Sequence, residues 1–294
     1  MPASLFPRTP RLRGRLLLAA ATAAVAAVLT GCAATAPTAP ASSPPPTFGH
    51  IHTVIPEDAG TLLVGTHTGL YRVEEDGTVD GPLGGYDFDL MGLAASGDAL
   101  IASGHPGLDT PAELGSPNLG IIRSEDAGES WQPVAFTNTE DFHVLTAGPD
   151  GRLYGIGSTS PALRVSDDRG DTWEARGEVA AVDLAVTTDG TITAATPEGL
   201  RTSTDDGASF TSAADAPLLY LLEAAGDTVI GVGTDGQIWQ RAGDTSWETI
   251  GSATGTVEAV GLSPTGMVIL VDERGIVALD GDESTIILPA LSGP

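Results

Sequence analysis

The sequence predicts an all-β fold, a β-propeller of six four-stranded blades, carried behind a signal segment and a proline-rich tether. Three observations predict it. An eight-residue turn motif occurs three times at blade-like spacing, pairs of short apolar strands joined by tight turns recur along the chain, and the composition favours turns. There are 38 glycines in 294 residues, against 18% charged and 5% aromatic residues.

At the N-terminus, Arg8, Arg11, Arg13 and Arg15 precede an apolar run from Leu16 to Leu29. A basic head before a short apolar stretch reads as a signal peptide rather than a membrane span. The string Leu29-Thr30-Gly31-Cys32 ends that run and resembles the lipobox of bacterial lipoproteins. That resemblance implies cleavage before Cys32 and a diacylglycerol on its sulfur. Cys32 is the only cysteine, so the exported body has no disulfide to rely on. Residues 33–47 are Ala, Pro, Ser and Thr only, a composition that buries no core and favours polyproline II. At ~3.1 Å per residue such a tether reaches roughly 45 Å. The expected organisation is a signal peptide over 1–31, lipidated Cys32 and tether over 32–47, and a propeller over 48–294. The protein is expected at the outer face of the cytoplasmic membrane, touching it through the N-terminal lipid only.

Every basic residue is arginine. Four of the thirteen lie in the signal segment, leaving nine against 39 acids in the body, a formal charge of −30. A body of that charge repels nucleic acid, which is excluded as a partner.

After residue 47 a repeat organises the chain. Ser124 to Trp131, Ser166 to Trp173 and Ser203 to Phe210 superimpose without gaps as S-x-D-x-G-x-[ST]-[WF]. Their common positions are Ser124, Asp126, Gly128 and Trp131; Ser166, Asp168, Gly170 and Trp173; Ser203, Asp205, Gly207 and Phe210. The glycines are 42 and 37 residues apart, a spacing typical of propeller blades. The aspartate can accept hydrogen bonds from turn amides, the glycine permits positive φ, and the aromatic ring can fill space between sheets. Weaker copies run from Tyr71 to Gly77 and from Trp239 to Trp247, and the sixth unit, from Gly275, has none. Innermost strands are expected to begin near His50, Asp89, Asp141, Ala180, Leu218 and Thr256. That register gives six blades, with five or seven as the alternatives, and closure with no strand shared between the termini.

The same register sorts the polar residues. The first outward pairs of the inner strands are His50/His52, Asp89/Met91, Asp141/His143, Ala180/Val182, Leu218/Tyr220 and Thr256/Glu258, each two apart and so on one strand face. The second strands end at His67, His105, Ser158, Pro197, Thr234 and Glu273. In a propeller both sets lie on one rim, so all five histidines are expected there, on blades one to three. The long segment from Gly104 to Asn118 is expected to overhang them, as long loops in compact folds often carry function.

The three turn motifs resemble the Asp-box, or BNR repeat, of sialidase-like propellers. In that family the box closes the hairpin between third and fourth strands, on the face away from the active site. The strings HIH (50–52), LMG (90–92), SGHPG (103–107) and DFH (141–143) are further similar to bacterial Asp-box lipoproteins labelled glycosyl hydrolase or exo-sialidase-like, over residues 49 to about 210. The resemblance implies three substrate-gripping arginines on inner strands. Here Arg72, Arg123, Arg164, Arg201 and Arg241 precede the box positions, and Arg152, Arg169, Arg176 and Arg274 are expected in turns, which argues against sialidase activity.

Three readings of the rim follow. The first is a non-catalytic module that binds a glycan, small ligand or protein through His50, His52, His67, His105, His143, Tyr220 and Glu258. The second is a glycoside hydrolase using Asp89 and Asp141 as its paired carboxylates. The third is a site for a divalent transition metal, with His52, His67, His105 and His143 as ligands beside Asp89 or Asp141.

Overall fold

Among the described residues, twenty-four strands form six antiparallel sheets of four, each made of strands adjacent in sequence. The structure, a computed structural model, describes residues 48–57, 60–281 and 283–290. The contacts of the chain divide it into residues 1–43 and 44–294. The signal segment, Cys32 and the tether lie outside the described residues. No helix among the described residues is long and apolar enough to cross a membrane.

Blade 1 comprises β1 (Ile51–Pro56), β2 (Leu62–Thr66), β3 (Gly69–Val73) and β4 (Val79–Asp80). Blade 2 comprises β5 (Asp89–Ser96), β6 (Ala99–His105), β7 (Ile121–Ser124) and β8 (Gln132–Ala135). Blade 3 comprises β9 (Phe142–Ala147), β10 (Leu153–Gly157), β11 (Ala162–Ser166) and β12 (Glu174–Glu178). Blade 4 comprises β13 (Asp183–Val186), β14 (Ile192–Thr196), β15 (Gly199–Ser203) and β16 (Thr211–Ser212). Blade 5 comprises β17 (Leu219–Ala225), β18 (Thr228–Gly233), β19 (Gln237–Ala242) and β20 (Glu248–Ser252). Blade 6 comprises β21 (Ala259–Leu262), β22 (Val268–Asp272), β23 (Gly275–Asp280) and β24 (Glu283–Pro289).

The first strands touch in a ring, β1 to β5, β9, β13, β17, β21 and back to β1. They line a central channel, and the molecule is a six-bladed β-propeller. Each blade is made from consecutive residues, and the ring closes with no strand shared between its ends. Second strands are covered on both faces by neighbouring blades. They therefore read as apolar runs closed by one polar residue, as in LLVGT of β2 and VILVD of β22, buried at every position. The core is divided among the blade interfaces. Phe48, Ile51, Val64 and Tyr71 of blade 1, for example, meet Ala259, Ile269 and Ile276 of blade 6. At ~25 cal/mol per Å² of apolar surface, these interfaces supply the main force holding the ring. Where two inner strands pass closest, glycine is needed: a Cβ on Gly92 would come within 2.5 Å of the Phe142 carbonyl oxygen.

The three serine–aspartate motifs are alike in detail. In each, the serine hydroxyl accepts from the glycine amide and donates to the aspartate, which in turn accepts from the amide and hydroxyl of the [ST] residue. The residue before each glycine, Ala127, Arg169 or Asp206, also has positive φ, near 60°. All three motifs join third to fourth strands, on the rim opposite the one where first strands begin.

Three expectations need correction. β13 and β21 start at Asp183 and Ala259, three residues later than the register placed them, because their approach segments touch the second strands only through single bonds, from the Val182 amide to Ala195 and from the Glu258 amide to Val271. Arg176 lies within β12 rather than in a turn. The last strand, expected from the apolar stretch Thr285 to Leu291, spans Glu283–Pro289 among the described residues.

Candidate functional site

The rim where first strands begin gathers seven of the polar residues singled out in the sequence. Backbone bonds set their level: the His67 amide donates to the His50 carbonyl, Asp89 pairs with His105, and the Ser158 amide donates to the Asp141 carbonyl.

What aims the side chains is a repeated irregularity. Four inner strands carry a β-bulge one residue inside the rim. Ile51 pairs with Thr66 and Thr53 with Gly65, so His52 is the extra residue. By the same reckoning Met91, His143 and Tyr220 are the extra residues of β5, β9 and β17. A bulge turns its extra side chain out of the ladder and is over-represented at barrel rims and beside active sites. Amides beside the bulges are taken by side chains of the adjoining blade. Ile51 donates to Glu258 Oε2 at 2.9 Å, Phe142 to Ser103 Oγ at 2.8 Å and Leu222 to Asp183 Oδ2 at 2.8 Å.

Two groups of donors result. In the first, the rings of His50, His52 and His67 lie 4.7 to 5.6 Å apart between centroids. One nitrogen from each falls within 4.8 Å of the other two. Asp89 Oδ1 faces this group, 3.3 Å from His52 Nε2 and 3.9 Å from His67 Nε2. Both His52 Nε2 and Asp89 Oδ1 are fully enclosed, yet neither has a hydrogen-bond partner among the described residues. Enclosed polar atoms are rarely left so. In the second group, Asp141 Oδ2 lies 2.5 Å from His143 Nε2 and 3.5 Å from His105 Nε2.

Burial pushes the His52 imidazole down to about 4, helped by the neighbouring histidines and opposed by Asp89. His52 is therefore neutral at ordinary pH, with a lone pair to offer. Burial alone would raise the Asp141 carboxyl, but a hydrogen bond from Ser158 and the histidines His143 and His105 outweigh it and hold it below the ordinary carboxylate range.

Two of the other candidates serve the scaffold. Tyr220 Oη lies 3.3 Å from both the carbonyl and the amide of Val257, and Glu258 grips the Ile51 amide between His50 and His52. None of the nine arginines among the described residues lies on an inner strand. The segment from Gly104 to Asn118 is pinned rather than loose. Asp87 accepts from the Asp109 amide and the Thr110 hydroxyl, Asn138 accepts from the Ser116 amide, and Leu114 is buried. Its Pro117 carbonyl lies 3.4 Å from His105 Nδ1.

Sequence reasoning missed Glu140. It is buried beside Asp141, bonded to the Thr159 hydroxyl and ion-paired with Arg164, which stacks over Phe136 and Phe142. Its partner is 24 residues away, so no local pattern announces it.

No protein-family model and no curated protein matches the chain. Among solved structures, it is similar to a gluconolactonase from Xanthomonas campestris, with 14% identity and a TM-score of 0.57, covering 76% of this chain and 83% of that one. It is also similar to virginiamycin B lyase from Staphylococcus aureus, with 14% identity and a TM-score of 0.55, covering 81% and 85%. Likeness at this identity establishes the propeller fold alone. These neighbours are a lactonase and a lyase rather than a sialidase.

Proposed function

We propose that this protein is an exported, lipid-anchored propeller of the Asp-box kind that binds a divalent transition metal at the histidine-bearing rim. The signal-like N-terminus and Cys32 support export and anchoring, and the three identical serine–aspartate turns support the Asp-box kinship. One observation carries the metal reading: three imidazole nitrogens gathered within 4.8 Å of one another beside the enclosed Oδ1 of Asp89, which lies 3.3 Å from His52 Nε2 and 3.9 Å from His67 Nε2. Imidazole nitrogen with carboxylate oxygen suits Zn²⁺ or Cu²⁺. The low basicity of His52 favours it further, because no proton has to be displaced from that ring near neutral pH. A general acid for glycoside cleavage needs a raised carboxyl pKa, whereas Asp141 is held down.

The full chain, extracted in detergent, stripped with chelator and repleted with zinc, is expected to retain at least one equivalent by elemental analysis. Its melting temperature is expected to rise, since a ligand at a thousandfold excess over its Kd stabilises by about 4 kcal/mol. Sub-stoichiometric metal after repletion would sink the metal reading. The same fractionation tests the anchor: wild type in the membrane fraction, Cys32→Ser in the soluble one. Equal partitioning of the two would count against lipidation.

A further inference from the structure

We propose that the rim holds two metal ions side by side, one in an imidazole-rich site of His50, His52 and His67 with Asp89, the other in a mixed site of His105, Asp141 and His143. This rests on the metal-binding reading above and adds the number of ions and the ligands of each.

The two groups are built by one construction. Each takes a bulge histidine from an inner strand, His52 of β1 or His143 of β9. Each adds a histidine at or just past the end of a second strand, His67 after β2 or His105 of β6. Each places one carboxylate against those rings, Asp89 in the first and Asp141 in the second. In each, three donors from different side chains lie within 4.8 Å of one another, close enough that small side-chain rotations bring all three to the ~2.0–2.2 Å bonding distance of one ion. Two such sets would be redundant for a single ion.

The sets differ in chemistry. The first offers three imidazoles and adds the carboxylate of Asp89, whose enclosed Oδ1 lies 3.3 Å from the enclosed His52 Nε2, neither atom having a further hydrogen-bond partner among the described residues. A cation between them would satisfy both. The second offers two imidazoles and a carboxylate. His105 shows the outer support that metal-bound histidines commonly have: with Nδ1 against the Pro117 carbonyl, Nε2 is left to face Asp141. The sets adjoin, because β1, β5 and β9 are successive strands of the channel wall and Asp89 is the cross-strand partner of His105. Each divalent ion would meet one carboxylate. His67 and His143, about half exposed, leave both sites open to solvent for exchange.

The test is a Co²⁺ titration of the metal-free full chain, read by d–d absorption and by elemental analysis after desalting. Wild type is expected to take up two equivalents. His105→Ala with His143→Ala is expected to take up one, with the absorption of the first site kept and its affinity within about twofold, as for separate sites. His52→Ala with His67→Ala is expected to take up one equivalent with the other spectrum. A single equivalent in wild type, lost in either double variant, would mean one ion shared by both sets; that overturns the two-ion inference and leaves the metal reading standing. No uptake by wild type overturns both. If a double variant fails to fold, His143→Gln, at a half-exposed side chain, is expected to show the same loss of the second equivalent, and two retained equivalents would refute the ligand assignment.

Discussion

Asp183 and Glu223 face one another's strands in the channel wall, and each accepts only backbone hydrogen bonds among the described residues: Asp183 from Leu184 and Leu222, Glu223 from Ala224. Glu223 lines a cavity of about 500 Å³ at the channel end remote from the histidines, with Thr53, Leu93, Ala147 and Leu262. Burial pushes Asp183 up to about 7 and Glu223 up to about 8, the latter also through the charge of Asp183. The folded state thus binds protons that the unfolded chain has released, so stability falls as pH rises from the ordinary carboxylate range through about 8. His52 acts with the opposite sign. Its pKa is lower folded than unfolded, so its contribution is lost as pH falls from 6.5 toward 4. Glu223→Gln keeps an acceptor for Ala224 and removes the charge. Its melting midpoint at pH 8 is expected to exceed that of wild type, by ~2–4 °C per kcal/mol, with little difference at pH 5. Parallel curves by calorimetry across that range would show that Glu223 stays ionised in the fold.

At the scale of elements, the serine–aspartate turn and the bulge divide the labour between the two rims. The turn is structural. Ser166 is 1% exposed and holds both the Gly170 amide and the Asp168 carboxylate. Ser166→Ala leaves an enclosed amide unpaired and is expected to cost ~1–3 kcal/mol in chemical denaturation, with metal uptake unchanged. A loss of metal as well would show that the two rims are coupled. The turns were legible in the sequence because their chemistry is local: serine, aspartate and glycine interact within five residues, and their spacing counts blades. The convergence of the histidines was legible for the same reason, through counting from the turns. The bulges were not. The sequence pattern put His50 and His52 on one face of a regular strand; their rings do meet, 4.8 Å apart, but through an extra residue at His52, whose side chain is part-buried where that of His50 is exposed. Glu140 was illegible too, since its meaning depends on Arg164 reaching back from another strand.

For the whole molecule, the seam between the first and last blades is the place where fold and site meet. Blade 6 carries no serine–aspartate turn, and it joins blade 1 through the shared apolar core and through Glu258, whose carboxylate accepts from the Ile51 amide at 2.9 Å. Closing the ring therefore also fixes the strand that carries His50 and His52. Glu258→Ala is expected to destabilise the domain by about 1.5–3 kcal/mol, the range for hydrogen bonds to charged groups, and to weaken the imidazole-rich site, while Glu258→Gln is expected to recover much of both. If the alanine variant lowers stability and leaves metal affinity untouched, the clasp serves the ring alone.

The route of the chain into the ring has a practical side. Phe48 and Gly49 lead straight into His50 at the rim where first strands begin, whereas Pro289 and Ala290 follow the outermost strand of blade 6. A polyhistidine purification tag placed just before residue 48 would bring a second set of imidazoles to the metal ligands and could pass for the protein's own capacity. The same tag after residue 290 would sit at the periphery, which makes the C-terminal fusion the one to use for every measurement of uptake.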